Sequence, residues 1–215
     1  MSADNGLTRA EFLKRVRDGL GGSTGTAPHL EVPDDLVRRI PIDTDRRALF
    51  IERASAAGAT LHACSVAELG ARVAELVQGS TQVAVELDGD DQERVHEALE
   101  ARGIPYHLHR RLEDHYQTDI AVTPVAAAVA ETGTILVQSG RDRSRGAPLL
   151  PRVHVAIVYE PQIVPDLVDV WTHFAPNAAY SVLITGPSKT ADIEGVLITG
   201  VHGPAELHIV LVREA

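Results

Sequence analysis

The loop at residues 186–190, GPSKT, has the highest density of chemically useful groups in the chain, because two hydroxyl groups and a lysine follow an apolar run. Residues 192–199 come next, and their apolar side chains recur at the spacing of an amphipathic helix. A strand, a polar loop and a helix N-terminus would direct backbone amides and the helix dipole at one point. We therefore predict a site for a phosphate or carboxylate group. Its ligand-binding residues are Gly186, Ser188, Lys189, Thr190 and Asp192.

A second candidate for anion binding is the loop at residues 139–146, which carries Arg141, Arg143 and Arg145 in a chain of net charge −10. Guanidinium groups form paired hydrogen bonds with carboxylates and phosphates. The alternative is a solvated loop whose charges bind nothing. We keep the three arginines as candidate ligand-binding residues.

Glu131 is the candidate catalytic residue. It lies between a predicted Ala-rich helix at residues 124–131 and a predicted strand at residues 134–139. A carboxylate at such a junction can act as a nucleophile or a base, and the alternative is a glutamate that only orders the turn. We expect Glu131 to lie across the same cleft as Lys189, because both loops leave carboxyl ends of the predicted sheet region.

Several histidines are candidates for a site. His154 lies in an apolar strand and His202 in a glycine turn, so either could face the cleft, although His154 is more typical of a satisfied core histidine. His107, His109 and His115 could bind a metal, but the sequence shows no clear cysteine or carboxylate spacing that would complete the site. We therefore predict no metal site.

The motifs of common cofactors are missing from the sequence. The glycine spacing of a phosphate-binding P-loop is absent from residues 186–190, and no G-x-G-x-x-G follows a predicted strand. Cys64 is the only cysteine, whereas an iron–sulfur cluster needs about four thiolate ligands. We therefore expect no cofactor to be carried by this chain alone.

Composition excludes further classes of function. A net charge of −10 argues against general nucleic-acid binding and against docking on an anionic membrane. No apolar run reaches the roughly 20 residues needed to span a bilayer, so membrane insertion is not expected. The first residues have no apolar signal region, and a single cysteine fits a reducing compartment. We therefore expect a cytoplasmic protein.

Two regions follow from the pattern along the chain. Residues 1–42 read as a short amphipathic helix and a flexible Gly- and Ser-rich arm, which we expect to dock on a neighbouring element or subunit. Residues 43–215 read as an α/β domain. Its predicted helices lie at residues 43–57, 65–77, 90–102, 124–131, 161–174 and 192–199. Its predicted strands lie at residues 60–63, 82–87, 106–108, 119–123, 134–139, 152–159, 181–185 and 207–212.

This alternation predicts a three-layer α/β sandwich with a mostly parallel sheet and helices on both faces, because several strands are continuous apolar runs. Ligands of open α/β sheets collect beyond the carboxyl ends of the strands. We therefore expect the site at that edge.

Two sequence blocks resemble a known family. The run GPSKTADIEGVLITGVHGP at residues 186–204 is similar to the C-terminal signature of the LUD domain family, that of lactate utilisation protein C. The block ETGT at residues 131–134, followed by LPRVHVAIV at residues 150–158, fits the same family. The resemblance covers residues 120–212, and Lys189 departs from it where arginine is more usual.

The resemblance implies a fold similar to the NagB/RpiA/CoA-transferase-like fold. It also implies a role in the oxidation of L-lactate to pyruvate, together with iron–sulfur partner subunits. The alternative function is a transferase- or ligase-like enzyme that uses Glu131 on a phosphorylated or CoA-linked small molecule. CoA transferases use a glutamate nucleophile at a strand end, which supports this alternative by fold analogy only. A homo-oligomer is left open.

We expect the purified protein to be colourless and poor in metal, because one cysteine and no dinucleotide fingerprint leave no ligands for a redox group. Visible absorbance and elemental analysis check this. Stoichiometric iron or flavin in the isolated chain would contradict it, whereas a cluster that bridges two chains would not.

Overall fold

The computed structural model describes residues 7–19, 38–41, 43–107, 117–140, 143–193, 196–200 and 202–214. His109, His115 and Arg141 lie outside these ranges. The chain divides into two compact units, Met1–Leu36 and Val37–Ala215. The first unit contains helix α1, Arg9–Gly19. It begins with a capping box, since the Thr8 amide donates to the Glu11 carboxylate at 2.8 Å and the Glu11 amide donates to the Thr8 hydroxyl at 3.3 Å.

The second unit alternates between helices and strands. Its α-helices are α2 Arg46–Ala57, α3 Leu69–Leu76 and α4 Gly89–Ala101, and its 3-10 turns are Val66–Glu68, Glu160–Gln162 and Leu167–His173. Its strands are β1 Thr60–Ser65, β2 Val83–Val85, β3 Tyr106–His107, β4 Ile120–Pro124, β5 Ala127–Val129, β6 Thr134–Ser139, β7 Val153–Tyr159, β8 Ile163–Val164, β9 Tyr180–Ile184, β10 Lys189–Ile193, β11 Val196–Thr199 and β12 Glu206–Arg213. In the described ranges, no helix combines the length and the apolar character that crossing a membrane requires.

The central sheet has six strands in the order β1-β12-β7-β4-β2-β3. Every pairing in it is parallel. The predicted α/β class with a mostly parallel sheet is therefore confirmed. Strands β7 and β12 lie inside the sheet and are buried on both faces, which explains their continuous apolar sequences.

Different elements pack against the two faces of the central sheet. On one face, Val155 and Ile157 of β7 join a core formed with α3 and α4. On the other face, Ala156 and Val158 pack with α2 and with a smaller sheet. The structure therefore has three layers, but the second outer layer is only partly helical.

The smaller sheet has the strand order β8-β5-β6-β9 and corrects two predictions. The helix predicted at residues 124–131 is wrong, because β5 pairs there with β6 and β8. Alanine favours helices, but Ala127, Ala128 and Ala130 are completely buried, and tertiary packing overrides the weak propensity. The helix predicted at residues 161–174 is also wrong. Two short 3-10 turns flank β8 there, and Pro161 and Pro165 disfavour a continuous helix.

A third prediction fails at residues 192–199. Strands β10 and β11 form an antiparallel hairpin there that pairs with neither sheet. Short apolar runs fit a strand or a helix equally well by periodicity, and the β-branched residues Val196, Ile198 and Thr199 favour the strand.

Two glycines allow the loops of both family blocks to approach the end of α2. Gly133 and Gly186 adopt left-handed φ values of 68° and 71°. A Cβ on Gly133 would lie 2.2 Å from the Ala54 nitrogen, and one on Gly186 would lie 2.3 Å from the Ala57 oxygen. Any side chain at either position would therefore displace the helix backbone.

We expect Gly133→Ala to destabilise the protein more than Gly103→Ala. Gly103 has a similar φ of 64°, but a Cβ there would meet nothing within 4 Å. Both variants bear the cost of a left-handed alanine, whereas only Gly133→Ala forces atoms together, which costs about 1–3 kcal/mol more. Urea unfolding of the two variants measures the difference. Equal losses would show that helix and loop can separate without cost.

Candidate functional site

A cavity of about 310 Å³ lies between the smaller sheet and the amino ends of two central strands. The loop after β9 lines it with Ser188 and Lys189, and the turn before β12 adds His202. His154 and Leu207 line it from the starts of β7 and β12. The predicted binding loop follows the carboxyl end of β9, as expected, but the cavity that it borders lies at the amino ends of the central strands β7 and β12.

The loop does not offer the predicted cradle of free amides. The Ser188 amide donates to the Pro204 carbonyl at 2.8 Å, and the Ser188 carbonyl accepts from the Gly200 amide at 2.9 Å. Lys189 then begins β10, where Thr190 and Asp192 also lie. Because no helix begins here, the helix dipole invoked for the anion site is absent from this loop. Ser188 and Lys189 line the cavity, so their side chains are the candidate ligand contacts of this loop.

Lys189 is attached to the end of α2. Its ammonium donates a hydrogen bond of 2.8 Å to the carbonyl of Ala57, the last residue of that helix. A cation at a helix C-terminus is favourable because carbonyl oxygens there lack helical partners. An ammonium has three N–H donors, so this bond fixes the position of the charge without using all of its donors.

His154 is the buried polar group of the cavity. Its side chain is completely buried, and its Nε2 lies 2.9 Å from the Thr123 hydroxyl. Its Nδ1 makes no hydrogen bond within the described part of the chain. Burial lowers the pKa of His154 to about 4, so the ring is neutral at physiological pH. His154 is thus a core histidine of which only one nitrogen is satisfied.

The other histidine candidates differ from His154. His202 also lines the cavity, but its side chain is exposed. His107 is exposed in β3, away from this cavity. Across the described ranges, no three potential metal ligands among His, Cys, Asp and Glu lie close enough together to hold an ion.

The arginine loop contributes to a different place. Arg143 lines a separate cavity of about 320 Å³ together with Gln138 and Asn177, and its guanidinium pairs with Asp88. The guanidinium of Arg145 lies 4.2 Å from the centre of the Tyr180 ring. Neither arginine lines the cavity of His154 and Lys189. Their role in anion binding stays a prediction.

Glu131 does not line the cavity either. Its carboxylate accepts the Leu167 amide at 3.2 Å and lies 3.8 Å from Nε of Arg39. Completely buried Asp166 binds the same segment, because it accepts the amide of Arg39 at 2.9 Å. Glu131 therefore takes part in holding residues 38–40, and the structure does not bring it to Lys189 across a cleft. Its catalytic role stays a prediction.

A chain of hydroxyl groups connects the two family blocks. The Thr132 and Thr134 oxygens lie 2.6 Å apart, and Thr134 lies 2.7 Å from the Thr185 oxygen. Thr185 lines the cavity and directly precedes Gly186. The block at residues 131–134 thus positions the cavity loop, although it contributes no side chain to the cavity itself.

Sequence reasoning missed two polar residues that organise this region. Thr123 is the partner of His154, and Glu86, which is only 7% exposed, accepts the Ser144 amide at 2.8 Å. Each is a polar residue at the end of an otherwise apolar strand. That exception to an apolar run is the signal that could have identified them, since a buried polar group requires a partner.

Together, these features define an α/β protein with a cavity beside the loop that follows β9. Residues 47–212 match the model of the LUD domain. The chain therefore belongs to the LUD domain family, and the resemblance of the two blocks is confirmed.

Two relatives carry the same name. The Bacillus subtilis (strain 168) protein called Lactate utilization protein C is 36% identical over 105 residues, which are 46% of this chain and 44% of that protein. In that alignment the chain spans less than half the length of its relative. Lactate utilization protein C of Deinococcus radiodurans is 29% identical over 210 residues, 95% of each chain.

A solved structure supports the fold. The crystal structure of a DUF162 family protein from Deinococcus radiodurans has a TM-score of 0.59 and 22% sequence identity. The likeness covers 78% of this chain and 96% of that chain. At this level of identity it shows the fold alone.

We expect acid to destabilise the protein through His154. In the unfolded chain its pKa returns to about 6.5, so the unfolded state gains a proton as the pH falls while the folded state stays neutral down to pH about 4. Stability is therefore complete above pH 6.5 and falls between about pH 6.5 and 4.

Urea unfolding at pH 7 and at about pH 4.5 tests this effect. His154→Gln has no titrating ring, so its loss of stability between the two pH values should be about 2 kcal/mol smaller than that of the wild type. Equal losses would show that His154 is not held neutral in the folded protein.

Proposed function

We propose that this chain acts in lactate utilisation as a subunit without a redox group of its own, and that it binds a small carboxylate, L-lactate or pyruvate. The observation that carries the proposal is the cavity that the family's signature loop lines with Ser188 and the exposed Lys189. Two relatives named Lactate utilization protein C support the physiological context.

The size and charge of the cavity favour a small anion. Ligand pockets generally hold about 300–1,000 Å³, and this one, at about 310 Å³, lies at the lower end. The Lys189 ammonium is fixed at Ala57 and attracts a carboxylate in a chain that is otherwise strongly acidic. Apolar Leu183 and Leu207 line the same cavity and suit a short carbon chain.

Oxidation of L-lactate to pyruvate releases two electrons and two protons, so an acceptor is required. Cys64 is buried, and burial raises the pKa of its thiol, which disfavours the thiolate needed for metal ligation or redox chemistry. Iron–sulfur partner subunits would accept the electrons in this proposal. The chain itself contributes carboxylate binding to that assembly.

The contacts of Glu131 favour this proposal over a transferase or ligase. An enzyme of that type would hold Glu131 in the pocket beside Lys189, as a nucleophile must reach the bound substrate. Glu131 instead contacts Leu167 and Arg39 and lies outside the cavity lining.

We expect Lys189→Ala to weaken the binding of L-lactate and pyruvate by tenfold to a hundredfold, because a charge-assisted hydrogen bond contributes about 1.5–3 kcal/mol. Isothermal titration calorimetry measures the loss. Lys14→Ala in α1 removes the same charge elsewhere and should bind as the wild type does. Lys189→Arg keeps the charge and should retain most of the affinity.

Lys189→Ala should also lose a little stability, since it removes the hydrogen bond to Ala57. A cation at a helix C-terminus contributes about 0.3–1 kcal/mol. No carboxylate binding to the wild type at millimolar concentration, or equal binding by Lys189→Ala, would refute the carboxylate site.

A further inference from the structure

We propose that the second cavity, which Arg143 lines, is a binding site for the phosphate group of a small polar molecule. The cavity measures about 320 Å³ and is separate from the one that Lys189 borders. Its wall includes the polar residues Gln138, Ser139 and Asn177. In this proposal the Arg143 guanidinium binds the phosphate, and the polar wall surrounds the rest of the ligand.

The cavity lies where the connections of the central sheet diverge. Strands β2 and β4 are parallel neighbours, but the chain leaves β2 through α4 on one face and leaves β4 through the smaller sheet on the other. Such a reversal opens a crevice beyond the carboxyl ends of the strands, where ligands of open α/β sheets bind. Glu86 directly follows β2, while Thr123 and Pro124 end β4. These three residues line a recess that shares Gln138 and Arg143 with the cavity.

The backbone of Arg143 is held on both sides. Its carbonyl accepts the Gly140 amide at 3.1 Å, just beyond the end of β6. The next residue, Ser144, donates its amide to the Glu86 carboxylate at 2.8 Å, and Glu86 is buried. The guanidinium therefore extends from a fixed point of the backbone. Such preorganisation lowers the conformational entropy that binding a ligand would cost.

Two carboxylates near Arg143 differ in burial. Glu86 is buried, whereas the side chain of Asp88, which pairs with the guanidinium, is 61% exposed. Burial lowers the pKa of Arg143 and the charge of Glu86 raises it, and a guanidinium stays protonated at physiological pH in either case. An ion pair with an exposed carboxylate adds little stability. Asp88 can therefore leave the guanidinium at little cost, while Glu86 stays in place.

The Asp88 carboxylate marks the position of a ligand oxyanion and also decides its chemistry. Asp88 belongs to the same chain, so a ligand with one carboxylate has no advantage over it at the guanidinium. A phosphate monoester carries about 1.5–2 negative charges at pH 7 and three acceptor oxygens. A guanidinium can bind two of these oxygens at once. A phosphate group therefore displaces Asp88, whereas a carboxylate does not.

The start of α4 adds to the attraction. Asp88 directly precedes this helix, so the positive end of the helix dipole lies beside the cavity. Two further carboxylates of the first turn are directed to other groups. Asp90 and Asp91 each lie 3.4 Å from the Arg94 guanidinium, and Asp91 also accepts the Tyr159 hydroxyl at 2.6 Å. Their charges are therefore partly neutralised.

The size and the polar wall of the cavity favour a ligand larger than inorganic phosphate. A volume of about 320 Å³ reaches the range of small-molecule pockets. The wall is ordered, since the Ala179 amide donates to the Ser139 carbonyl at 3.0 Å and Gln138 contacts the Ser181 hydroxyl at 3.0 Å. Amide and hydroxyl side chains both donate and accept hydrogen bonds, as the hydroxyl groups of a ligand do. The ligand class is therefore a small hydroxylated phosphate ester.

Calorimetric titration of the full chain with glycerol 3-phosphate, inorganic phosphate and glycerol tests the inference. We expect glycerol 3-phosphate to bind more tightly than inorganic phosphate, because only the ester also reaches the polar wall. Glycerol lacks the oxyanion and should not bind at millimolar concentration. Acetate should not displace glycerol 3-phosphate, because Asp88 already offers a carboxylate to Arg143.

Two variants with opposite expected effects assign the binding to this cavity. Arg143→Gln should weaken glycerol 3-phosphate tenfold to a hundredfold, because it removes a charge-assisted contact. Asp88→Asn keeps a helix-capping residue but removes the competing charge, so it should tighten binding about twofold to fivefold. Arg47→Gln is the matched control, since Arg47 also pairs with a carboxylate, that of Glu160 at 2.7 Å, and lines neither cavity. It should bind as the wild type does.

The outcomes also separate this site from the one at Lys189. Equal binding by Arg143→Gln and the wild type, weaker binding by Asp88→Asn, or displacement by acetate would overturn the proposal. No binding of glycerol 3-phosphate by the wild type at millimolar concentration would also overturn it. Binding that is lost in Lys189→Ala would assign the phosphate to the other cavity. L-Lactate binding should be unchanged in Arg143→Gln, so the two sites can fail independently.

Discussion

The close approach of two loops to one helix end is the constraint on which the rest of the structure depends. Gly133 and Gly186 reach the backbone of α2 at distances that no side chain would permit. Lys189 then bonds the last carbonyl of the helix, and the hydroxyls of Thr134 and Thr185 join the loops to each other. The smaller sheet is thereby held against α2, and the cavity forms beside this junction.

The cavity is bordered by two polar residues in different environments, one exposed and one buried in the central sheet. Lys189 is exposed at the end of a loop, where its charge remains hydrated, while His154 lies in the sheet, where burial keeps it neutral. A small acid in the cavity would therefore meet the charge of Lys189. The central sheet provides the rigid wall, because β7 is paired on both sides.

Local signals predicted strands of both sheets. Strand β6 lies where it was predicted, and β4 and β7 begin within one residue of their predicted positions. The alanines of β5 led to a wrong helix prediction at residues 124–131. Burial between strands, which the sequence does not show, outweighed their helix propensity. The link between Thr123 and His154 spans 31 residues and arises only when β4 pairs with β7. The residues around the cavity are therefore brought together by the strand order, which local motifs do not predict.

The hairpin of β10 and β11 has a consequence for the dynamics of the family's signature segment. It pairs with neither sheet, and a ribbon of two strands alone is only marginally stable. Its backbone hydrogen bonds can therefore break in a local opening that leaves the two larger sheets folded. Since Lys189 is its first residue and Ser188 bonds Gly200 at its base, such an opening would loosen one wall of the cavity. Entry of a ligand would then require only subglobal unfolding, at a free energy well below that of the whole domain.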